Sequence, residues 1–372
     1  MAEPHPENPP RDDANTSKRP YGNQSQQHPR YSSNDTVKPT ADIAICRIGL
    51  RLPGGIRNCD DYWNLLYNGL DARRPIPSNR YNIHGFDDSL GGKHPIKAKH
   101  GYFIDDDLTC LDTSFFPLTK SELGMVDPQH RLLLEVTREC LDDAGEVNYR
   151  ENNIGCYVGT FGEDWLLMNT MEPLHAGGIQ AITGFTDLVM ANRISHEFDF
   201  RGPSMVVKTG CSASAVALHE ACLAIRNGNA TSAIVGGASI LTTPSTSAPM
   251  FADEILAPDA SCKTFDASAD GYARAEGITA VYIKPLADAL RDGNPVRAII
   301  RATSINCDGK GVSLVTPNGY AHEALMRATY SSVGLDPKDT AFIEVWVPNW
   351  VKLCSKSLWT PHPVATQSIQ QR

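Results

Sequence analysis

A short apolar run that turns abruptly into a helix constrains this chain more than any other feature. Met205, Val206 and Val207 have strand character, and Gly210 marks a turn. Ala215, Leu218, Cys222 and Ile225 then recur at spacings of three and four, the period of a helix. Cys211 stands at the junction. There the first N–H groups of the helix have no internal partner and the dipole is positive, so an anion is favoured. A thiol so placed is a candidate nucleophile, in the geometry that hydrolases use for a serine at a strand-to-helix elbow. Lys208 adds a positive charge nearby, on a side chain free to point away along the strand. A cysteine in an arbitrary helix is usually a small buried hydrophobe, and this stretch alone leaves that reading open.

The flanking chain alternates strands and helices. Residues 43–46 form a strand that enters a glycine-rich turn, Gly49-Leu-Arg-Leu-Pro-Gly-Gly55, before a short amphipathic helix over 60–66. Asp127 suits a helix cap and Pro128 the first helical position. Leu133, Val136, Cys140, Leu141 and Ala144 then make one apolar face, with Gly145 as the stop. Residues 154–159 and 233–238 read as strands apolar on both faces, and 187–196 as a helix. Further strands are expected at 279–284, 298–302 and 341–345, and a helix at 321–333. Two-sided apolar strands between helices predict an α/β chain with a mostly parallel sheet covered on both faces. Residues 1–40, rich in Pro, Asn, Gln, Ser and charge, predict a disordered leader.

Composition excludes several functions. A net charge of −9 is wrong for a nucleic-acid surface. No secretory signal and no run of membrane-spanning length stands in the 372 residues, which predicts a cytoplasmic protein without a membrane partner. The ten cysteines contain no Cys-x-x-Cys pair, so they read as reduced thiols, with neither a disulfide framework nor a metal site.

Several of these stretches together resemble the β-ketoacyl synthase domain of fungal highly reducing polyketide synthases. They are the Arg51-Leu-Pro-Gly-Gly55 turn before a helix carrying Trp63, the Asp127-Pro-Gln-His-Arg131 signature, and Lys208-Thr-Gly-Cys-Ser-Ala213 where the usual pattern is Asp-Thr-Ala-Cys-Ser-Ser. Asn306-Cys-Asp-Gly309 and Thr316-Pro-Asn-Gly319 match family loops as well. The resemblance implies a thiolase-like α/β fold of two stacked halves, the first essentially complete and the second, from near residue 265, truncated. It implies Cys211 as the acyl-accepting catalytic residue and no bound cofactor. Substrates would be phosphopantetheine thioesters on a separate acyl carrier protein, malonyl units among them, and the folded chain would be a homodimer.

The resemblance also assigns residues 251–277 to the acyl pocket, although their charges can equally be read as carboxylates for acid–base work. Two departures occur there: Ala260-Ser261 replaces a usual Gly-Arg pair, and Ile255 stands where a phenylalanine often guards the pocket. A larger departure follows Val345. The family continues into His-Gly-Thr-Gly-Thr, with a catalytic histidine, and later Lys-Ser-Asn-Ile-Gly-His, with a second; here Trp346-Val-Pro348 follows and neither motif is found. The expected organisation is therefore a leader over 1–40, a truncated ketosynthase domain over 41–345 and an unrelated tail over 346–372. His130, His219 and His322 read as surface or packing residues. Three functions follow for weighing: a β-ketoacyl synthase-type acyltransferase fragment, an inactive fragment that at most dimerises with an intact synthase, and a cysteine hydrolase with a distant histidine.

Overall fold

The computed structural model describes residues 41–86, 96, 98–170, 178–263, 266–311, 313 and 316–344. The expected leader over 1–40 and tail over 346–372 lie outside them. In chain order come β1 (Ile43–Arg51), α1 (Cys59–Tyr67), the two-residue strands β2 (Arg74–Pro75) and β3 (His100–Gly101), α2 (Lys120–Met125) and α3 (Pro128–Asp143). They are followed by β4 (Ile154–Thr160), α4 (Asp164–Thr170), α5 (Gly178–Phe185), α6 (Met190–Phe198), β5 (Ser204–Val207) and α7 (Ala213–Arg226). The chain continues through β6 (Ser232–Ser239), α8 (Ser247–Ala252), β7 (Gly277–Pro285), α9 (Leu286–Asp292), β8 (Ala298–Ile300) and α10 (Gly319–Ser332).

The main sheet has six strands in the order β5-β4-β6-β7-β1-β8. Helices α3 and α6 pack on one face and α7 on the other. Every residue of β4 is buried, as its two-sided apolar pattern predicts, and successive side chains enter opposite cores. Cys156 and Val158 join Leu133, Val136 and Ile194, whereas Tyr157 joins Ala217, Ala221 and Ile225.

The sheet is mixed, which corrects the expectation of a mostly parallel one. β4 runs parallel to β5 and β6, but β6–β7, β7–β1 and β1–β8 are antiparallel. Helices cover both faces, so an antiparallel strand here reads as apolar on both sides as a parallel one does. β1 is also longer than expected and continues through Gly49 to Arg51. At the other end, residues 341–344 do not form the expected strand, and Val345 lies outside the described residues. A strand needs a ladder partner for its N–H and C=O groups. No described strand pairs with 341–344, and Phe342 and Ile343 are exposed.

Local chemistry explains α3. The Asp127 carboxylate accepts from the Gln129 N–H at 2.8 Å, with Pro128 in the first turn. Asp127 and His130 are both buried, which makes the histidine a packing residue and not a surface one. Burial pushes the Asp127 carboxyl up to about 7, against the bonds from Gln129 that lower it. Burial and then the Arg193 guanidinium push His130 down to about 3, and Arg193 Nε donates to His130 Nδ1 at 3.2 Å.

These shifts oppose one another in the stability profile. Asp127, raised in the fold, stabilises below its unfolded value and loses that contribution as pH rises toward 7. His130, lowered in the fold, stabilises above its unfolded value and loses that contribution as pH falls toward 3. Between about pH 4 and 6.5 each group contributes a slope of about 1.4 kcal/mol per unit, of opposite sign, and the two cancel. Urea unfolding across this range should show Asp127→Asn gaining stability with pH relative to wild type and His130→Gln losing it. Parallel profiles for both variants would contradict the assignment.

Candidate active site

The nucleophile turn is built by close backbone packing. β5 ends at Val207, a 3-10 turn spans Gly210–Ser212, and α7 starts at Ala213. Cys211 therefore sits one residue before Ser212, the cap of α7, instead of inside its first α-turn. Gly210 has φ 65°, the left-handed region that disfavours a side chain. The Ser212 hydroxyl donates to Thr209 O at 2.9 Å and lies 3.0 Å from Thr209 Oγ1, tying the turn together. Behind it the strands present glycine. A Cβ on Gly159 of β4 would lie 2.2 Å from Ser214 N and 2.4 Å from Ala213 C; one on Gly237 of β6 would lie 3.4 Å from Ser214 Cβ. The start of α7 thus rests directly on strand backbone.

Among the described cysteines, Cys46, Cys140, Cys156 and Cys222 are buried, and Cys59, Cys110, Cys211, Cys262 and Cys307 are exposed. Burial pushes Cys46 and Cys222 up to about 11 and Cys140 and Cys156 up to about 12, which leaves them as unreactive packing groups. Of the exposed thiols Cys211 occupies the tight 3-10 turn between β5 and α7, and Cys59 is the first residue of α1. No described group of three or more His, Cys, Asp or Glu side chains is placed to hold a metal. No described helix is long and apolar enough to cross a membrane.

Several charges of 251–277 are held in structural contacts. Glu276 is buried, pairs with Arg80 Nε at 2.7 Å, and accepts from the N–H groups of Ile104 and Leu241. Lys263 bridges Asp259 at 3.0 Å and Asp270 at 2.7 Å. None of these carboxylates is left free for acid–base work. The segment instead walls an apolar cavity of about 20 Å³ together with Tyr81, Ile96, Phe103, Phe251, Leu256 and Tyr272. Ala260 takes φ 51°, so a side chain stands in a left-handed position where the resembling sequences carry glycine.

Tyr272 is a residue that motif reading missed. Burial first, and then the charge of a Cys211 thiolate, push its phenol up, which places it within electrostatic reach of the thiol. Its position inside Asp270-Gly-Tyr gave no signal in sequence. Three of the described histidines have partners of their own: His130 faces Arg193, His219 Nδ1 lies 2.8 Å from Thr303 Oγ1, and His322 Nε2 lies 3.5 Å from Asp308 Oδ1. The two family loops meet, since Asn318 N and Nδ2 donate to Asp308.

The mixed sheet sandwiched by helices, with a cysteine elbow on its β5–α7 connection, defines a thiolase-like fold. The matching family model is that of the β-ketoacyl synthase, N-terminal domain, over residues 40–289. The chain belongs to the β-ketoacyl synthase family, a family of condensing acyltransferases. It is similar to the highly reducing polyketide synthase g433 of a Fusarium species, at 52% identity over 304 residues and 81% of this chain. It is also similar to the squalestatin hexaketide synthase of a Phoma species, at 48% over 308 residues and 82% of this chain. It spans 12% of the length of each of these relatives. Among solved structures it is similar to the OzmH KS7 oxazolomycin ketosynthase domain of Streptomyces albus JA3453, with TM-score 0.74 and 31% identity over 81% of this chain and 53% of that one. The ketosynthase from module 6 of the bacillaene synthase of Bacillus subtilis 168 matches with TM-score 0.73 and 30% identity, over 82% of this chain and 50% of that one.

Because Gly159 carries the start of α7 on its backbone, Gly159→Ala should displace the turn and destabilise the fold by about 3 kcal/mol, the upper range for overpacking. Denaturant unfolding together with Cys211 alkylation checks both effects. Unchanged stability and labelling would show that the packing described here does not hold the turn.

Proposed function

We propose that residues 41–345 are the acyl-accepting part of a polyketide synthase ketosynthase, with Cys211 as nucleophile, a leader at 1–40 and an unrelated tail at 346–372. The observation that carries this reading is the exposed Cys211 on a strand-to-helix turn of a chain belonging to the β-ketoacyl synthase family. The Cys211 thiolate attacks the carbonyl carbon of an acyl thioester on the phosphopantetheine arm of a carrier protein. The carbon–sulfur bond to the arm breaks, the acyl group stays on Cys211, and the arm leaves as a thiol carrying the proton that Cys211 gave up. The carrier and its thioesters are those that the family resemblance implies, and the names of the similar synthases suggest polyketide biosynthesis as the setting. The protein needs no resident cofactor for this half-reaction, acts as a homodimer and resides in the cytoplasm.

The second half, decarboxylation of a malonyl unit and condensation, needs imidazoles near the acyl-cysteine. Trp346-Val-Pro348 stands where the resemblance places the first of them. This favours a second reading of the chain as a catalytically inactive polyketide synthase fragment, at most a dimerisation partner of an intact synthase.

Incubation with an acyl carrier-protein thioester, followed by intact mass and peptide mapping, should find one acyl group on Cys211, and Cys211→Ala should abolish it. The same chain given malonyl carrier protein should yield no β-ketoacyl product, because Trp346-Val-Pro348 replaces an acid–base group worth a factor of about 10² to 10⁴. Acylation elsewhere would defeat the nucleophile assignment, and β-ketoacyl product would defeat the second reading.

A further inference from the structure

Lys208 follows the last residue of β5 and precedes Cys211 by three positions. Its ammonium is engaged by two carboxylates. It pairs with Glu163, in the connection that leaves β4, and with Asp187 at 2.9 Å, which opens the 3-10 turn Asp187–Val189 before α6. β4 and β5 are parallel neighbours, so Lys208 joins connections from the carboxyl ends of both strands, where sheets of this kind build their sites.

The Asp187 leg is the more buried of the two, and the Glu163 leg makes a hydrogen bond. The Asp187 side chain is only 11% exposed, against 47% for Glu163. Asp187 also stands within charge range of the buried Asp127 carboxyl, whose pKa it helps to raise. A mostly desolvated carboxylate beside another acidic group needs a cation, and Lys208 supplies it. Burial works against the Lys208 ammonium, but its bonds to the two carboxylates outweigh that and hold its pKa above the usual lysine value.

We propose that Lys208 is a positioning residue for acyl transfer: by clamping Glu163 and Asp187 it fixes the end of β5, and through Thr209 and Gly210 the direction in which Cys211 presents its sulfur. The inference rests on the reading of Cys211 as the acyl acceptor. An aspartate at 208, the residue of the usual family pattern, would place a third carboxylate against these two, so this clamp belongs to sequences with a cation at the position.

The experiment compares wild type, Lys208→Met, Lys208→Arg and Asp187→Asn in the full chain. Rates of Cys211 acylation by an acyl N-acetylcysteamine thioester, and of its alkylation by iodoacetamide, are followed by mass spectrometry, with melting temperature as a folding control. Lys208→Met should slow both reactions about fivefold, the upper end for a partly exposed ion pair. The loss should fall in the maximal acylation rate, not in the half-saturating thioester concentration. Lys208→Arg should restore the rate, and Asp187→Asn should slow it without adding to Lys208→Met in the double variant. Wild-type rates in a folded Lys208→Met protein, or no rescue by arginine, would overturn the proposal. If Lys208→Met does not fold, Asp187→Asn decides alone. If wild type is not acylated at Cys211, the acyl-acceptor reading fails, and the alkylation ratios still decide the clamp.

Discussion

The contact of the first turn of α7 with the backbone of β4 is the constraint on which the rest of the site depends. Gly159 leaves no space between strand and helix, so the chain between β5 and α7 must make its turn within a few residues. That requirement calls for a left-handed residue, met by Gly210, and for a compact 3-10 turn, in which Cys211 is held at the surface while Ala213 and Ala217 of α7 are buried. A side chain at 159 would open the joint, and one at 210 would strain the left-handed backbone of the turn.

Around this joint the polar groups are arranged in pairs. Arg80 and Glu276 are both buried, and Glu276 further accepts from two backbone N–H groups, so a carboxylate that could have looked catalytic is a tie between the 251–277 segment and the chain before α2. Asp127 and His130 are buried near neutrality instead of as ions, because desolvation outweighs their hydrogen bonds. Phe103, Phe251 and Tyr272 bound a small cavity of about 20 Å³ beside this tie.

Much of this was legible in the residues. The strand–turn–helix unit, the Asp127-Pro128 cap and the two-sided strands β4 and β6 follow from periodicity and capping chemistry, and the resemblance of several motifs pointed to the family. Three things were not. Strand direction was hidden because helices cover both faces of the sheet, which erases the pattern that separates antiparallel from parallel strands. The burial of His130 was hidden because one polar residue in the first turn of a helix carries no period. Tyr272 and the partners of Lys208 come from segments distant in sequence, and no local pattern records which distant side chains will meet. The apolar run at 341–344 reads as strand but finds no ladder among the described residues, so pairing, not propensity, decides its state.

The central claim is that the fold, and not exposure alone, singles out Cys211. Brief alkylation at neutral pH with less reagent than protein, followed by peptide mapping, compares it with Cys59, Cys110, Cys262 and Cys307, which are exposed as well. The account predicts that Cys211 is modified first in the native chain and that the preference vanishes in denaturant. Uniform labelling of the five thiols in the native chain would contradict it.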